Sequence, residues 1–280
     1  MANDVRTEER ERRRRMALLG RVATQAAHAG AAAVAERLDR ATGVGHKSGR
    51  TDPVTDADRV SERAIVAALH RARPDDGVVG EEGSDVAGTT GLRWVVDPLD
   101  GTVNYLYGLP NIAVSVGCEQ CVDGVWRPIV GAVHDIRRGE TFAAAHGLGA
   151  RLNGTPITVN ATARLATALV ATGFSYDAAS RARQSRVLTG VLPRVRCLRS
   201  NGSAALELCW VACGRLDAYY EDELRAWDTA AGVVVVAEAG GRVTPLGVGG
   251  VIASGAGLHD ALAELVRPAT SGGGAPPAAA

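Results

Sequence analysis

The sequence predicts a layered α/β protein, because its helical and strand-like segments follow one another in two distinct orders. Two helical segments come first, at 12–40 and from Thr55 to about His70. Strand-like runs separated by tight turns follow, which predicts helices over an antiparallel meander in the first half. The second half alternates strands with helices, an order typical of layered α/β proteins.

The first half shows the periodicity of both kinds of element. Apolar residues recur at helical spacing within 12–40, and the stretch from Gly43 to Pro53 is interpreted as a loop. The apolar helical positions are Leu18, Leu19, Val22, Ala26 and Ala33. The strand-like runs are Val78-Val79, Arg93 to Val96, Ile112 to Glu119, Trp126 to Asp135 and Thr141 to Ala145, with turns at Asp123-Gly124 and Arg138-Gly139.

The second half is expected to alternate. We expect strands at 169–172, 194–199 and 216–220 and near 242 and 251, with helices near 178–192, at 202–213, from Asp228 and from Leu258. One domain should cover 12–267, in two halves at 12–150 and 151–267. Residues 1–11 are expected to form a charged, frayed arm, and 268–280, with its Ser-Gly-Gly-Gly-Ala-Pro-Pro stretch, a disordered tail.

Composition argues against several classes of partner. Lys plus Arg and Asp plus Glu both number 31, so no net charge attracts the chain to nucleic acid or to an anionic membrane. No run of 18 apolar residues occurs, and we expect no membrane span. Five cysteines without an export signal predict reduced thiols in the cytoplasm rather than a disulfide scaffold.

Two other patterns have a functional and a plainer interpretation. The pairs Cys118/Cys121 and Cys209/Cys213 could indicate zinc, but they lack the usual partner spacing, which favours buried thiols. The arginine run at 12–15 could contact nucleic acid. Because glutamates at 8, 9 and 11 are mixed with it, a solvated helix end is the better interpretation.

The most informative stretch is 94–102, Trp-Val-Val-Asp-Pro-Leu-Asp-Gly-Thr. Pro98 biases Asp97 toward extended geometry, so the strand is expected to stop at Asp97. Gly101 and Thr102 can then turn the chain into a short helix, whose free N–H groups would face an anion. The stretch therefore predicts a metal held beside a phosphate.

Four carboxylates have the character of magnesium ligands: Glu81, Asp97, Asp100 and Asp228. Mg²⁺ is a hard cation that takes a few carboxylates together with water and phosphate oxygens. Burying such a cluster without a cation would raise the pKa of each member, so the cluster predicts bound metal. Taken singly, each has a plainer interpretation, as a loop charge, a turn former or, for Asp228, the cap of the following helix.

The spacing of the two central aspartates disfavours one competing mechanism. Phosphatases of the haloacid dehalogenase type use Asp-x-Asp, which puts both side chains on one face of a strand end. Here Asp97 and Asp100 are three residues apart with proline between them. The second aspartate therefore falls in the turn, which favours a shared metal site over a covalent phospho-aspartate.

Two long motifs resemble signatures of the inositol monophosphatase family. The first is Asp97-Pro98-Leu99-Asp100-Gly101-Thr102-Val103-Asn104-Tyr105, and the second runs from Trp227-Asp228 through Glu238-Ala239-Gly240-Gly241. The resemblance covers roughly residues 12–267. It implies the αβαβα sandwich shared by inositol monophosphatases and fructose-1,6-bisphosphatases.

The resemblance also implies a ligand set. Glu81, Asp97 and the Leu99 carbonyl would hold one Mg²⁺, and Asp97, Asp100 and Asp228 a second, with a third ion bound more weakly. A phosphate monoester would then be hydrolysed by direct attack of a metal-activated water, without a covalent intermediate. The two ions would lower the pKa of that water and stabilise the leaving alkoxide.

The same resemblance implies roles for residues around the metals. The N–H groups of Gly101 and Thr102 would bind the phosphate, and Glu81 and Thr102 would position the water and take its proton. Asp52 would orient Thr102, although it could instead be a helix-start signal. Lys47 could anchor metal-bound water or could simply be solvated.

The leaving-group pocket decides the substrate. Glu221 aligns with the family glutamate that accepts ring hydroxyls, and Ala204, in Gly-Ser-Ala-Ala, lies in the segment that packs on the inositol ring, with Asp228 also assigned to substrate. A carboxylate suits a polyol and repels a second phosphate, which favours inositol 1-phosphate. Histidinol phosphate is the main rival substrate, and a regulatory binding protein is the non-enzyme alternative. Family analogy implies lithium sensitivity and a homodimer.

Overall fold

The structure is a computed structural model that describes residues 2–38, 45–46 and 53–270, and the side chains of 6–38, 45 and 53–267. The helices are α1 Ala2–Ala35, α2 Asp56–Ala72, α3 Thr102–Leu106, α4 Ala178–Val191, α5 Ala204–Ala212, α6 Ala226–Glu238 and α7 Ala256–Thr270. The strands are β1 Gly45–His46, β2 Pro53–Val54, β3 Gly77–Gly80, β4 Asp85–Val86, β5 Leu92–Asp100, β6 Ala113–Val122, β7 Val125–Asp135, β8 Glu140–Ala145, β9 Ala150–Leu152, β10 Thr155–Pro156, β11 Leu169–Thr172, β12 Cys197–Arg199, β13 Ala218–Glu221, β14 Arg242–Leu246 and β15 Gly250–Ser254.

Two sheets form the central layers. The larger has the strand order β10-β9-β8-β7-β6-β5-β3-β4 and is antiparallel except where β3 runs parallel to β5. The smaller has the order β12-β11-β13-β15-β14, in which β11 runs parallel to both β12 and β13. Strands β1 and β2 pair separately.

Helices cover both sheets and separate them. Helices α1 and α2 contact the larger sheet, α5 and α6 contact strands of both sheets, and α7 contacts α4 and the smaller sheet. Buried apolar residues form a cluster at each of these three interfaces. The five layers follow the order αβαβα, which confirms the predicted fold.

Several predicted bounds differ from the structure. Helix α1 begins at Ala2, so residues 2–11 continue the helix that the sequence placed from residue 12. Strand β5 runs through Asp100 rather than stopping at Asp97, because a register shift accommodates the intervening residues. Helix α7 continues through Thr270, so residues 268–270 of the expected tail 268–280 are helical, and 271–280 lie outside the described residues.

The cysteines and the helix lengths bear on two predictions made from composition, on the state of the thiols and on membrane spans. All five cysteines are free, and Cys118 and Cys209 are buried, in accord with the predicted thiols. Within the described chain, no helix has both the length and the apolar character needed to cross a membrane.

Two glycines let α6 lie directly on the larger sheet. A Cβ on Gly117 would come within 2.7 Å of the Ala230 Cβ, and one on Gly131 within 2.8 Å of the Ala231 Cα. Since β6 and β7 carry these glycines, the backbone of α6 can approach closely. This contact fixes the position of Asp228 in the first turn of α6.

Replacing Gly131 with alanine should therefore destabilise the protein by roughly 2 kcal/mol, because α6 must move to admit the methyl group. Urea unfolding measures the change. Gly190→Ala is the matched control: no atom lies within 4 Å of its added Cβ, and alanine favours a helix. Equal stability of the Gly131 variant and wild type would contradict this account.

Candidate active site

The end of β5 holds the two aspartates of the first motif. The pairing of β5 with β6 shifts register between Asp97 and Asp100, as at a β-bulge. The Asp97 carboxylate accepts the Leu99 N–H at 3.0 Å, and the Ser61 hydroxyl of α2 donates to the Pro98 carbonyl at 2.7 Å. Both aspartates are buried. The irregular strand end thus fixes two carboxylates away from solvent.

Gly101 and Thr102 form the turn from β5 into α3. Gly101 has a φ of 93°, in the left-handed region that favours glycine. Thr102 begins α3, and its hydroxyl lies 3.0 Å from Asp58 Oδ1 and 3.1 Å from the Leu99 carbonyl oxygen. The two N–H groups predicted to bind phosphate therefore lie beside an oriented hydroxyl.

Asp58 is the carboxylate that holds the Thr102 hydroxyl in the part of the chain that the structure describes. It is fully buried, and it also accepts the Thr55 N–H at 2.8 Å and the Thr55 hydroxyl at 2.6 Å. The role predicted for Asp52, orienting Thr102, stays a prediction, and among the described residues Asp58 makes that hydrogen bond. Asp52 itself, like Lys47, lies outside the described residues. The Thr-x-x-Asp capping box at the start of α2 was the available signal.

One face of α2 supports the site. Asp58, Ser61 and Glu62 lie three and four residues apart, a spacing that places them on the same side of a helix. Glu62 accepts the Glu82 N–H at 2.8 Å and so holds the loop that carries Glu81. Sequence reasoning missed this face, although three buried polar residues at helical spacing were its signal.

The four predicted metal ligands act on one another electrostatically. Burial raises the pKa of Asp97 well above its usual range, and the negative charges of Glu81, Asp100 and Asp228 raise it further. Asp97 also shares a hydrogen bond with Glu81. Carboxylates from three separate parts of the sequence therefore lie close enough for their charges to interact.

Asp228 lies in the first turn of α6. Its carboxylate accepts the Arg225 N–H at 2.6 Å, and Arg225 occupies the N-cap position that the sequence assigned to Asp228. The helix therefore starts two residues earlier than predicted. Burial, together with the charges of Asp100 and Glu81, raises the pKa of Asp228 well above its usual range.

The start of α5 faces Asp100. The Asp100 carboxylate accepts the Ser203 hydroxyl at 2.6 Å and the Ala205 N–H at 2.8 Å, and the Ala204 N–H also donates to it. Burial raises the pKa of Asp100 to about 6, against the lowering effect of these hydrogen bonds. Ala204, predicted to contact substrate, thus lies next to a predicted metal ligand.

The donor atoms at this site suit a hard divalent cation. The four carboxylates and the Leu99 carbonyl offer only oxygen, which is the ligand type of Mg²⁺. Across residues 6–38, 45 and 53–267, no three His, Cys, Asp or Glu side chains are arranged so as to hold a metal ion. The fit thus rests on the chemistry of the donors and on the mutual repulsion of the carboxylates, which a cation would relieve.

Glu221 lies at the end of β13, next to this cluster. The Tyr219 hydroxyl donates to Glu221 Oε2 at 2.6 Å, and burial raises the pKa of Glu221 to about 7. The charge of Asp100 contributes to the increase. A hydrogen-bond acceptor therefore lies beside the predicted metal ligands.

Glu207 is a buried carboxylate that sequence reasoning missed. It lies on α5 and accepts the backbone N–H of Asn201 at 2.8 Å and the Asn201 side-chain amide at 3.0 Å. Burial raises the pKa of Glu207 to about 8, with a further increase from the charge of Glu221. Its position in an otherwise apolar helix was the only signal.

Glu207→Gln should make stability less dependent on pH. The pKa of Glu207 is higher in the folded than in the unfolded protein, so ionisation costs wild type stability as the pH rises from about 4.5 to about 8. Glutamine keeps an acceptor without the charge. We expect the variant to exceed wild type by roughly 2 kcal/mol at pH 8 and to match it near pH 5. Urea unfolding between pH 5 and pH 8 tests this expectation. A difference in the free energy of unfolding that does not change with pH would contradict it.

Comparison with known proteins gives one consistent answer. The sequence profile of the inositol monophosphatase family matches residues 16–270. Inositol-1-monophosphatase SuhB of Mycobacterium tuberculosis is 43% identical over 236 residues, covering 79% of this chain and 80% of that protein. The Nus factor SuhB of Xylella fastidiosa is 43% identical over 195 residues, or 69% of each chain.

A solved structure agrees with these sequence matches. The extragenic suppressor protein SuhB of Bartonella henselae superposes with a TM-score of 0.80 at 34% identity, covering 90% of this chain and 98% of that one. This chain belongs to the inositol monophosphatase family and is a phosphatase.

Proposed function

We propose that this chain is a Mg²⁺-dependent phosphomonoesterase that hydrolyses myo-inositol 1-phosphate, and related inositol or polyol monophosphates, to the free alcohol and phosphate. One observation carries the proposal: the charges of Glu81, Asp100 and Asp228 all act on the buried Asp97 carboxylate, and Thr102, at the nearby start of α3, is held by a buried aspartate. The name of the M. tuberculosis relative, an inositol-1-monophosphatase, supports the choice of substrate.

The residues of the site have distinct roles in this proposal. Two or three Mg²⁺ ions, held by Glu81, Asp97, the Leu99 carbonyl, Asp100 and Asp228, would supply Lewis acidity to the water and to the leaving alkoxide. The Thr102 hydroxyl, fixed by Asp58, orients the attacking water, and Glu81 accepts its proton. The N–H groups of Gly101 and Thr102 bind the phosphate oxygens. The attack is direct, and no covalent intermediate forms.

The pocket beside Glu221 selects the leaving group. A carboxylate at this position accepts hydrogen bonds from two adjacent ring hydroxyls and repels a second phosphate group. Ala204 lies at the start of α5, next to Asp100, where it can contact the ring. These features favour inositol 1-phosphate over nucleotide bisphosphates. Histidinol phosphate is the second candidate, because the same acidic pocket would accept an ammonium group.

We also propose that the protein is cytoplasmic, inhibited by lithium, and a homodimer. Large apolar side chains are exposed in the loops after α3 and β11, and exposed apolar surface often marks an interface. They are Tyr107, Leu109, Phe174 and Tyr176. The X. fastidiosa relative is named a Nus factor, but Arg12 of α1 pairs with Glu9 within the same helix, which supports a solvated helix end here.

Phosphate release from three esters tests the proposal. Inositol 1-phosphate, histidinol phosphate and adenosine 3′,5′-bisphosphate are compared with Mg²⁺ and with chelator. We expect Mg²⁺-dependent turnover that prefers inositol 1-phosphate. A preference for another ester would retain the metal site and reject the role of Glu221. No turnover of any ester would favour a regulatory binding protein.

A further inference from the structure

The turn at Asp222–Arg225 joins the leaving-group pocket to the metal site. It follows Glu221 and precedes Asp228, whose carboxylate accepts the Arg225 N–H at 2.6 Å. Glu223, within the turn, has a φ of 62°. A side chain in the left-handed region is strained, and such strain persists only where surrounding contacts enforce it.

Helix α4 supplies contacts on one side of the turn. Arg183 Nη2 lies 2.8 Å from Asp222 Oδ2 and 2.6 Å from Glu223 Oε1. The Gln184 side-chain amide donates to Asp222 Oδ1 at 2.6 Å, and the Ser180 hydroxyl donates to Glu223 Oε1 at 2.9 Å. Asp222 is buried, and three side chains of α4 therefore hold both acidic residues of the turn.

The hairpin between β14 and β15 contacts the other side of the turn. The Glu223 N–H donates to the Val248 carbonyl at 3.1 Å. A Cβ on Gly249 or Gly250 would collide with the backbone of Leu224 or Glu221. The turn therefore lies between the hairpin and α4. Without the contacts from α4, it could relax only by moving the segments that carry Glu221 and Asp228.

We propose that Arg183, assisted by Ser180 and Gln184, is a positioning residue that fixes the strained turn at Glu223 and thereby sets the place of the Glu221 carboxylate. The inference rests on the proposed function, because Glu221 is assigned there to the hydroxyls of the leaving group. Arg183 touches neither substrate nor metal ligand in this account. Its expected influence is on binding of the polyol rather than on transfer of phosphate.

Arg183→Met tests the proposal, since it keeps an unbranched apolar stem and removes both ion pairs. We expect KM for inositol 1-phosphate to rise about tenfold, as for loss of charge-assisted hydrogen bonds, with kcat within about twofold. KM for phenyl phosphate, whose leaving group has no hydroxyl for Glu221, should not change. Arg186→Met is the control, because Arg186 lies on the same helix and, among the described residues, hydrogen-bonds only the Ala182 carbonyl of α4.

A second substitution separates positioning from general loss of structure. Glycine adopts a positive φ without strain, so Glu223→Gly added to Arg183→Met should bring KM for inositol 1-phosphate back to within about threefold of wild type. An equal rise in KM for both substrates, an unchanged KM, or no recovery in the double variant would overturn the proposal.

Hydrogen exchange gives a readout that needs no activity. In the full-length protein, Arg183→Met should speed exchange of the Glu223 and Arg225 amides, whereas Arg186→Met should not. If wild type hydrolyses none of the esters, the proposed function fails on its own. Unchanged exchange at these two amides would then still overturn the positioning role.

Discussion

Asp97→Asn should reduce phosphatase activity by about three orders of magnitude and should also make the metal-free protein more stable. Asp97 is assigned to both magnesium ions, so the substitution removes a shared ligand from the reacting centre. Without metal, burial and three neighbouring carboxylates raise the pKa of Asp97. Its charge is therefore a cost to folding that asparagine removes while still accepting the Leu99 N–H.

The stabilisation has a defined dependence on pH. Folding raises the pKa of this carboxylate. The folded protein therefore loses stability as the pH rises above the pKa of the carboxylate in the unfolded chain, near 4. The Tm of Asp97→Asn in chelator should exceed that of wild type by roughly a few degrees at pH 8 and by less at pH 5. Thermal unfolding and phosphate release measure the two effects.

Asp85→Asn is the control for this comparison, since Asp85 is exposed on β4. It should change neither activity nor the Tm. An Asp97→Asn protein that retains activity, or that is less stable than wild type in chelator, would show that the buried cluster has a different purpose.

Asp58→Asn should lower activity about 100-fold and destabilise the protein by roughly 2 kcal/mol. Asp58 is buried and accepts three donors, two from Thr55 and one from Thr102. An asparagine keeps one acceptor oxygen, so its NH2 group must face either Thr102 or the two donors of Thr55. In the first case the Thr102 hydroxyl loses its orientation, and in the second the start of α2 loses its capping box.

Asp52→Asn is the matched comparison for Asp58→Asn. The Thr102 hydroxyl donates a hydrogen bond to Asp58, so the Asp52 variant should retain most of its activity. The kcat of each variant and its urea unfolding curve, measured in parallel, decide between the two aspartates. Loss of kcat in the Asp52 variant with normal kcat in the Asp58 variant would support the role that the sequence predicts for Asp52.

The order of elements and the αβαβα layers could be predicted from the sequence, because apolar periodicity and turn residues are local signals. The end of β5 could not be predicted in detail. Pro98 suggested that the strand stops at Asp97, whereas pairing with β6 resumes at Asp100 after a register shift. Tertiary pairing here overrides the local preference of the residue before proline.

Metal-ligand candidates could be identified because carboxylates at a strand end form a recognisable motif. Residues that act by positioning other side chains could not be identified in this way. Asp58 was overlooked as an ordinary helix residue, and Glu207 and Arg183 lie in helices whose sequences carry no catalytic motif. Their importance follows from burial and from partners distant in the chain, which a single sequence does not reveal.

The most direct measurement is equilibrium binding of Mg²⁺ to wild type and to Asp97→Asn, by isothermal titration calorimetry in the absence of substrate. We expect saturable binding to wild type, and an affinity at least tenfold lower for the variant, since one carboxylate is assigned to both ions. Absence of Mg²⁺ binding to wild type, or equal affinity in the two proteins, would contradict the assignment of Glu81, Asp97, Asp100 and Asp228 as the cation site of this phosphatase.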